Sequence, residues 1–153
     1  MNLSNSDEMT KLGYKYEHGL EIECDYKKAI ELYEQAISLG NSTAMNNLGY
    51  MHQFGMGVDI DYDKASKLYE QAVELNNSLA MNNLGYIYQY GLKTGRSTEL
   101  DYEKAIELYE RAIALDNVVA SMCNLAYMYQ NGLGTGRDYD KAIKLYRRAS
   151  EFN

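Results

Sequence analysis

Four near-copies of one motif fill this chain, and repetition at a fixed period constrains architecture more tightly than composition can. The motif opens as LGYKYEHG at Leu12, LGYMHQFG at Leu48, LGYIYQYG at Leu84 and LAYMYQNG at Leu125, at intervals of 36, 36 and 41 residues. A second landmark, Asp-Tyr-x-Lys-Ala, recurs at Asp25, Asp61, Asp101 and Asp138. The interval from Leu to Asp is 13 residues in three copies and 17 in the third. The added length falls in GLKTGRSTEL, residues 91–100. Thr94, Gly95, Arg96, Ser97 and Thr98 are polar and suit a flexible segment, so a surface protrusion that tolerates shortening is expected.

Each copy reads as two helices. In the second, Met45, Leu48, Met51 and His52 form one stripe of helix A, and Gly55 and Gly57 end it. Asp61 sits where an N-cap belongs, its carboxylate facing free backbone N–H groups. Helix B follows with Ala65, Leu68, Tyr69, Ala72 and Val73 as its apolar stripe. Ala at 29, 65, 105 and 142, and again at 36, 72, 112 and 149, lets paired helices approach closely. The expectation is an all-α chain of four helix-turn-helix repeats, near 7–40, 41–76, 77–117 and 118–153, in one domain spanning 1–153. Its eight helices fall near 7–18, 25–39, 43–54, 61–75, 79–90, 101–115, 119–131 and 138–151, with no strands.

Composition narrows the function. A net charge of −7 opposes binding to nucleic acid or to an anionic membrane surface. No apolar run approaches the roughly 20 residues that span a bilayer, and the N-terminus, MNLSNSDEMT, lacks the basic and apolar regions of a signal peptide. Two cysteines, Cys24 and Cys123, make no disulfide framework, so a reducing, cytoplasmic setting is expected. Sequons at Asn2, Asn41 and Asn76 read as chance in an Asn-rich chain.

The pattern A-x-x-x-L-G-x-x-Y-x-x-G-x-G-x-x-x-D-x-x-K-A-x-x-L-Y-x-x-A resembles the Sel-one-like repeat (SLR) family, kin of the tetratricopeptide repeats. The resemblance covers residues 7–152. The loop from Gly55 to Ala65, 10 residues on, is longer than a tetratricopeptide repeat allows. Two departures give helix B a tetratricopeptide flavour. Leu32, Leu68, Leu108 and Leu145 stand where the family often has Trp, and Ile37, Val73, Ile113 and Ser150 replace the second Ala of its usual pair. The resemblance implies a right-handed α-solenoid serving as an adaptor or scaffold for protein partners, without chemistry of its own.

In such a solenoid the A helices line the inner face. Aligned on the repeat Leu, the positions off the core stripe give three ladders. Asn47, Asn83 and Asn124 match Lys11; Tyr50, Tyr86 and Tyr127 match Tyr14; Gln53, Gln89 and Gln130 match Glu17. Phe54, Tyr90 and Asn131 stand at the position of His18. Carboxamides donate and accept, and Tyr adds contact area at low entropic cost, so these residues are expected to hold an extended peptide. In related helical-repeat proteins an inner Asn ladder clamps a peptide backbone, and Asn47, Asn83 and Asn124 match it.

The ends point to an alternative. Glu8 and Lys15 replace Ala44 and Met51 in the first repeat, and Ser150, Arg147 and Arg148 mark the last helix, so both ends look polar and the array looks complete. Residues 1–40 carry net charge −4 and residues 118–153 carry +2. Opposite ends of different molecules could therefore attract, giving a weak homo-oligomer or self-assembling scaffold. Catalysis and cofactors are not expected. His18, His52, Cys24 and Cys123 are too dispersed for a metal site, no Ser or Cys nucleophile has a His partner, and GLGTG at 132–136 lacks the Lys-Ser/Thr of a phosphate loop.

Overall fold

The computed structural model describes residues 3–93, 96–97 and 100–152, with no account of the side chains of Leu3, Ser4, Lys93, Arg96 and Ser97. Eight helices run in order among them: α1 Leu3–His18, α2 Tyr26–Ser38, α3 Ser42–Phe54, α4 Tyr62–Glu74, α5 Ser78–Tyr90, α6 Tyr102–Asp116, α7 Val119–Asn131 and α8 Tyr139–Ser150. The chain forms two compact units, Met1–Asn77 and Ser78–Asn153, each holding two helix pairs.

One local device starts every B helix. Asp25, Asp61, Asp101 and Asp138 accept the backbone N–H of the Lys three residues on, at 3.1, 2.9, 3.0 and 2.9 Å. Each Asp also donates its own N–H to a carbonyl near the end of helix A, from Tyr16, His52, Tyr88 and Tyr129 respectively. In three repeats the Lys ammonium then lies over that residue's ring: Lys28 over Tyr16 and Lys104 over Tyr88 at 5.1 Å, Lys141 over Tyr129 at 4.9 Å. The cap thus fixes the helix start and the crossing of the pair together.

Small side chains set the closeness of each pair. Ala29, Ala36, Ala65, Ala72, Ala105 and Ala112 are fully buried. In unit 1, Ala29, Tyr33, Ala36, Ala44, Leu48 and Met51 form one core; in unit 2, Ala105, Tyr109, Ile113, Met122, Leu125, Met128 and Ala149 form another. Within each unit the A helices touch, α1 with α3 and α5 with α7, whereas the B helices do not. Each unit therefore curves with its A helices on the inner side.

Two expectations need correction. The insertion carries a two-strand ladder, β1 Leu92–Lys93 against β2 Arg96–Ser97, although no strand was expected. The Asp101 N–H still reaches the Tyr88 carbonyl at 3.1 Å, so the helix pair closes as in the other repeats. Thr94, Gly95 and Thr98 lie outside the described residues, as does Asn2. Helix α1 starts four residues earlier than the spacing suggested. Its first turn is held by Asn41, the N-cap of α3, which donates to Ser6 Oγ at 3.3 Å and Asp7 Oδ1 at 2.8 Å. Beside its polar positions, α8 carries a stripe of exposed apolar residues, Tyr139, Ile143 and Tyr146 at 57%, 48% and 38%.

Candidate interaction face on the A helices

The glutamine ladder lies inside the repeats. Gln53 and Gln89 are 5% and 2% exposed, and do not line the inner surface as expected. Their Oε1 atoms accept the hydroxyls of Tyr69 and Tyr109 at 2.7 and 2.8 Å. Glu17 does the same for Tyr33 at 2.6 Å. The cause is the fully buried Tyr of each helix B, whose hydroxyl needs a partner once water is removed. Burial pushes the Tyr33, Tyr69 and Tyr109 hydroxyls well above the usual tyrosine range, with the Glu17 carboxylate adding to the effect at Tyr33. These hydroxyls stay protonated donors.

Room for those rings comes from the Gly of the repeat motif. A methyl group at Gly13, Gly49 or Gly85 would lie 2.8, 2.7 or 2.8 Å from Cε1 of Tyr33, Tyr69 or Tyr109. The fourth repeat has buried Ala126 there. Its Tyr146 is correspondingly displaced: 38% exposed, with its hydroxyl 3.4 Å from Gln130 Oε1. Gln130 is accordingly the exposed member of its ladder.

The asparagine ladder is half-buried and already engaged. Asn47 Nδ2 donates to the Tyr33 hydroxyl at 3.3 Å, and its Oδ1 accepts from Asn46. In unit 2, Asn124 Nδ2 donates to Asn82 Oδ1 at 3.2 Å, and Asn82 Nδ2 donates to Asn83 Oδ1 at 3.3 Å. These amides join neighbouring helices.

What each A helix turns outward is aromatic. Tyr50 and Phe54, 42% and 52% exposed, meet with ring centres 4.4 Å apart; Tyr86 and Tyr90, 37% and 46% exposed, meet at 4.5 Å. Tyr14 stacks on His18 at 4.0 Å. In α7, Tyr127 is 45% exposed beside Asn131, whose Nδ2 donates to the Tyr127 carbonyl. The spacing of four residues puts both rings on one helical stripe. The outcome is an exposed ring pair on α1, α3 and α5, and a single exposed ring, Tyr127, on α7. The Tyr90 hydroxyl titrates above its ordinary range through burial, with Tyr86 and Tyr127 adding to the shift.

Reactive chemistry does not gather on this face. Among the described residues no group of three or more His, Cys, Asp or Glu could hold a metal ion. Cys24 and Cys123 are free and exposed. His52 is 5% exposed in the core of unit 1, with Nδ1 unpartnered, as expected of a substitution at a Tyr position. No described helix is long and apolar enough to cross a membrane.

With the repeat geometry in place, comparison with known proteins is direct. The Sel1 repeat model matches residues 9–41, 42–77, 78–117 and 119–151. The chain belongs to the Sel1 repeat family. Among curated proteins none matches it. A Sel1 repeat protein from Oxalobacter formigenes is similar at 30% identity and TM-score 0.84, over 96% of this chain and 58% of that one. The protein c5321, a protective antigen of uropathogenic Escherichia coli with an SLR fold, is similar at 29% identity and TM-score 0.86, over 97% and 31%. MamA is similar at 25% identity and TM-score 0.62, over 96% and 77%. This chain thus spans less than two thirds of the first two relatives. Sel1 repeats generally serve as protein-interaction scaffolds, and the fold is a helical-repeat solenoid class without catalysis as its usual role.

Proposed function

We propose that this protein is a non-enzymatic adaptor that holds an extended segment of a partner protein against its A helices. The exposed aromatic pairs carry the reading. Tyr50–Phe54 and Tyr86–Tyr90, with Tyr127, offer flat apolar area with polar tips, which suits a peptide that presents both side chains and backbone amides. Asn47, Asn83, Asn124 and Gln130 would add hydrogen bonds to the backbone of the partner segment. Gln53 and Gln89 would act only by seating the tyrosines beneath. Free, exposed Cys24 and Cys123 fit a reducing, cytoplasmic setting.

The test is affinity capture with the double variant Tyr86→Ser, Tyr90→Ser, alongside Tyr139→Ser, which removes a still more exposed aromatic from α8. Loss of the same identified partners with the first variant, and retention with the second, supports the reading. Equal capture by all three proteins refutes it.

End-to-end self-assembly is the weaker reading, and one residue weighs against it. Gly57 and Gly134, nine residues after their repeat Leu, have left-handed φ of 72° and 67°. A methyl group there would lie 2.3 Å from Tyr26 Cβ or 2.4 Å from Tyr102 Cβ in the preceding repeat. The first repeat has Glu21 at this place, also at positive φ, 64°. Its side chain would obstruct the α8 of a second copy docking as one repeat docks on the next.

A further inference from the structure

A second surface of unit 2 faces away from the aromatic ridges. Between α6 and α8, with α7 behind, lies a cavity of about 390 Å³. Its floor includes Leu125, Tyr129 and Leu145. Tyr127 and Tyr129 are two residues apart, about 200° around the helix, so the floor and the aromatic ridge occupy opposite sides of α7. The cavity is a separate site, independent of the adaptor face.

Its rim is cationic in a protein of net charge −7. Lys141, Lys144 and Arg148 line it with one anionic side chain, Glu110, and Asp138 stands beside Lys141. Two of the cations are positioned in advance. Lys141 lies over the Tyr129 ring and 3.6 Å from Asp138 Oδ2; Arg148 Nη2 donates to Asn117 Oδ1. Asn117 caps α6 in the left-handed conformation, φ 50°. Helix α6 is 15 residues long where α2 and α4 are 13, and the two added residues, Leu115 and Asp116, lead to the Asn117 that holds Arg148. At the corresponding position of unit 1, Gln71 stands in place of Arg148.

We infer that this cavity is a docking site for an acidic peptide segment carrying one bulky apolar side chain. The apolar floor takes the side chain, and the three cations take flanking carboxylates, Arg148 through N–H donors left after the bond to Asn117. The volume suits one large side chain and adjoining backbone. Nucleic acid is the poorer fit, because three cations around an apolar cavity do not make the extended basic track that a phosphate backbone needs.

The experiment titrates the full chain into a fluorescein-labelled peptide of Asp and Glu around a single phenylalanine, read by fluorescence anisotropy at low salt. Three changes are each expected to weaken binding at least about tenfold. They are the double variant Lys144→Glu, Arg148→Glu; the variant Ala114→Phe, which fills the cavity from an exposed position without changing charge; and replacement of the peptide phenylalanine by serine. Tyr86→Ser with Tyr90→Ser should leave binding unchanged, which separates this site from the adaptor face. Circular dichroism checks that each variant remains helical. The inference is overturned by absence of wild-type binding, by equal affinity for the serine peptide, or by indifference to Ala114→Phe. Weakened binding in the Tyr86→Ser, Tyr90→Ser variant, or tighter binding of a single-stranded oligonucleotide at the same rim, would overturn it too.

Discussion

Replacing Gly85 by Ala tests the claim that the motif glycine exists to admit a tyrosine ring. The new methyl would lie 2.8 Å from Tyr109 Cε1, 3.1 Å from Cδ1 and 3.2 Å from Cζ. Carbon atoms prefer 3.5–4.0 Å, so the ring must retreat by about 1 Å. Tyr109 is fully buried and its hydroxyl is held at 2.8 Å from Gln89, which leaves it little freedom. Overpacking of this kind costs about 1–3 kcal/mol, while Ala in place of Gly within a helix returns about 1 kcal/mol. The net expectation is a loss of up to about 2 kcal/mol, or a fall in Tm of several degrees. Urea unfolding followed by circular dichroism and by tyrosine fluorescence measures it, the chain having 16 Tyr and no Trp. The reverse change, Ala126→Gly, should be nearly neutral, because helix propensity lost is offset by reseating Tyr146. A Gly85→Ala protein more stable than wild type by about 1 kcal/mol, the full gain in helix propensity, would refute the argument. The ring would then be free to move, and the exposure of Tyr146 would need another cause.

Three other changes follow from the same contacts. Gln89→Ala leaves the buried Tyr109 hydroxyl without its acceptor and should cost about 1–3 kcal/mol in urea unfolding, with the aromatic ridge chemically unaltered. His52 is held below its ordinary pKa by burial and then by Lys64, so the folded state favours the neutral ring. Its contribution is present above the unfolded value of about 6.5 and is lost as pH falls from there through the folded value, at up to about 1.4 kcal/mol per pH unit. His52→Tyr, which restores the residue type found at 16, 88 and 129, should flatten that part of the pH–stability curve; an unchanged slope would exclude His52 as its source. Shortening the 91–100 insertion to the length of its neighbours should change stability by under about 1 kcal/mol, because the Asp101–Tyr88 closure is that of the other repeats. A loss of several kcal/mol would show that the loop packs on the fold.

The repeat period, the helix pairs, the Asp caps and the Ala contacts were legible because each is a local device copied four times. The placement of the polar ladders was not. Period alone puts Gln53 and Gln89 five residues after the motif Leu, on a flank of the helix that could face groove or partner helix. Which way they turn is decided by a residue 16 or 20 positions later in sequence, the Tyr whose hydroxyl they accept. A buried hydroxyl and a carboxamide find each other only once the pair has closed, so the signal was the co-occurrence of Gln or Glu on helix A with Tyr on helix B. Tyr50 with Phe54 and Tyr86 with Tyr90 were each legible as exposed positions, but not as ring pairs, since side-chain direction sets their meeting.

The same tyrosine requirement explains why α1, α3 and α5 each have an aromatic outer stripe above a polar inner one. Once Tyr33, Tyr69 and Tyr109 fill the space under the motif glycine, the helix flank beside them must supply an acceptor, and Glu17, Gln53 and Gln89 do. That commitment fixes the rotation of the A helix about its axis. Positions three residues before the acceptor and one after it then point outward, and these carry Tyr14 and His18, Tyr50 and Phe54, Tyr86 and Tyr90. Rotating the helix to bury those rings would strand a hydroxyl and a carboxamide, which costs more than leaving two half-exposed aromatics in water. The outward aromatics are therefore held by the internal polar pair, and a variant that breaks the pair should disorder the ridge above it. Gln53→Leu supplies the case: it keeps the volume and removes the acceptor. Tyr69 would lose its partner, and stability should fall by about 1–3 kcal/mol. If the internal pair does orient the helix, amide hydrogen exchange across α3 should accelerate with it, from Ser42 to Phe54. Faster exchange confined to α4 would instead show that packing of Leu48 and Met51 alone sets the rotation, and that the polar pair is a consequence of it.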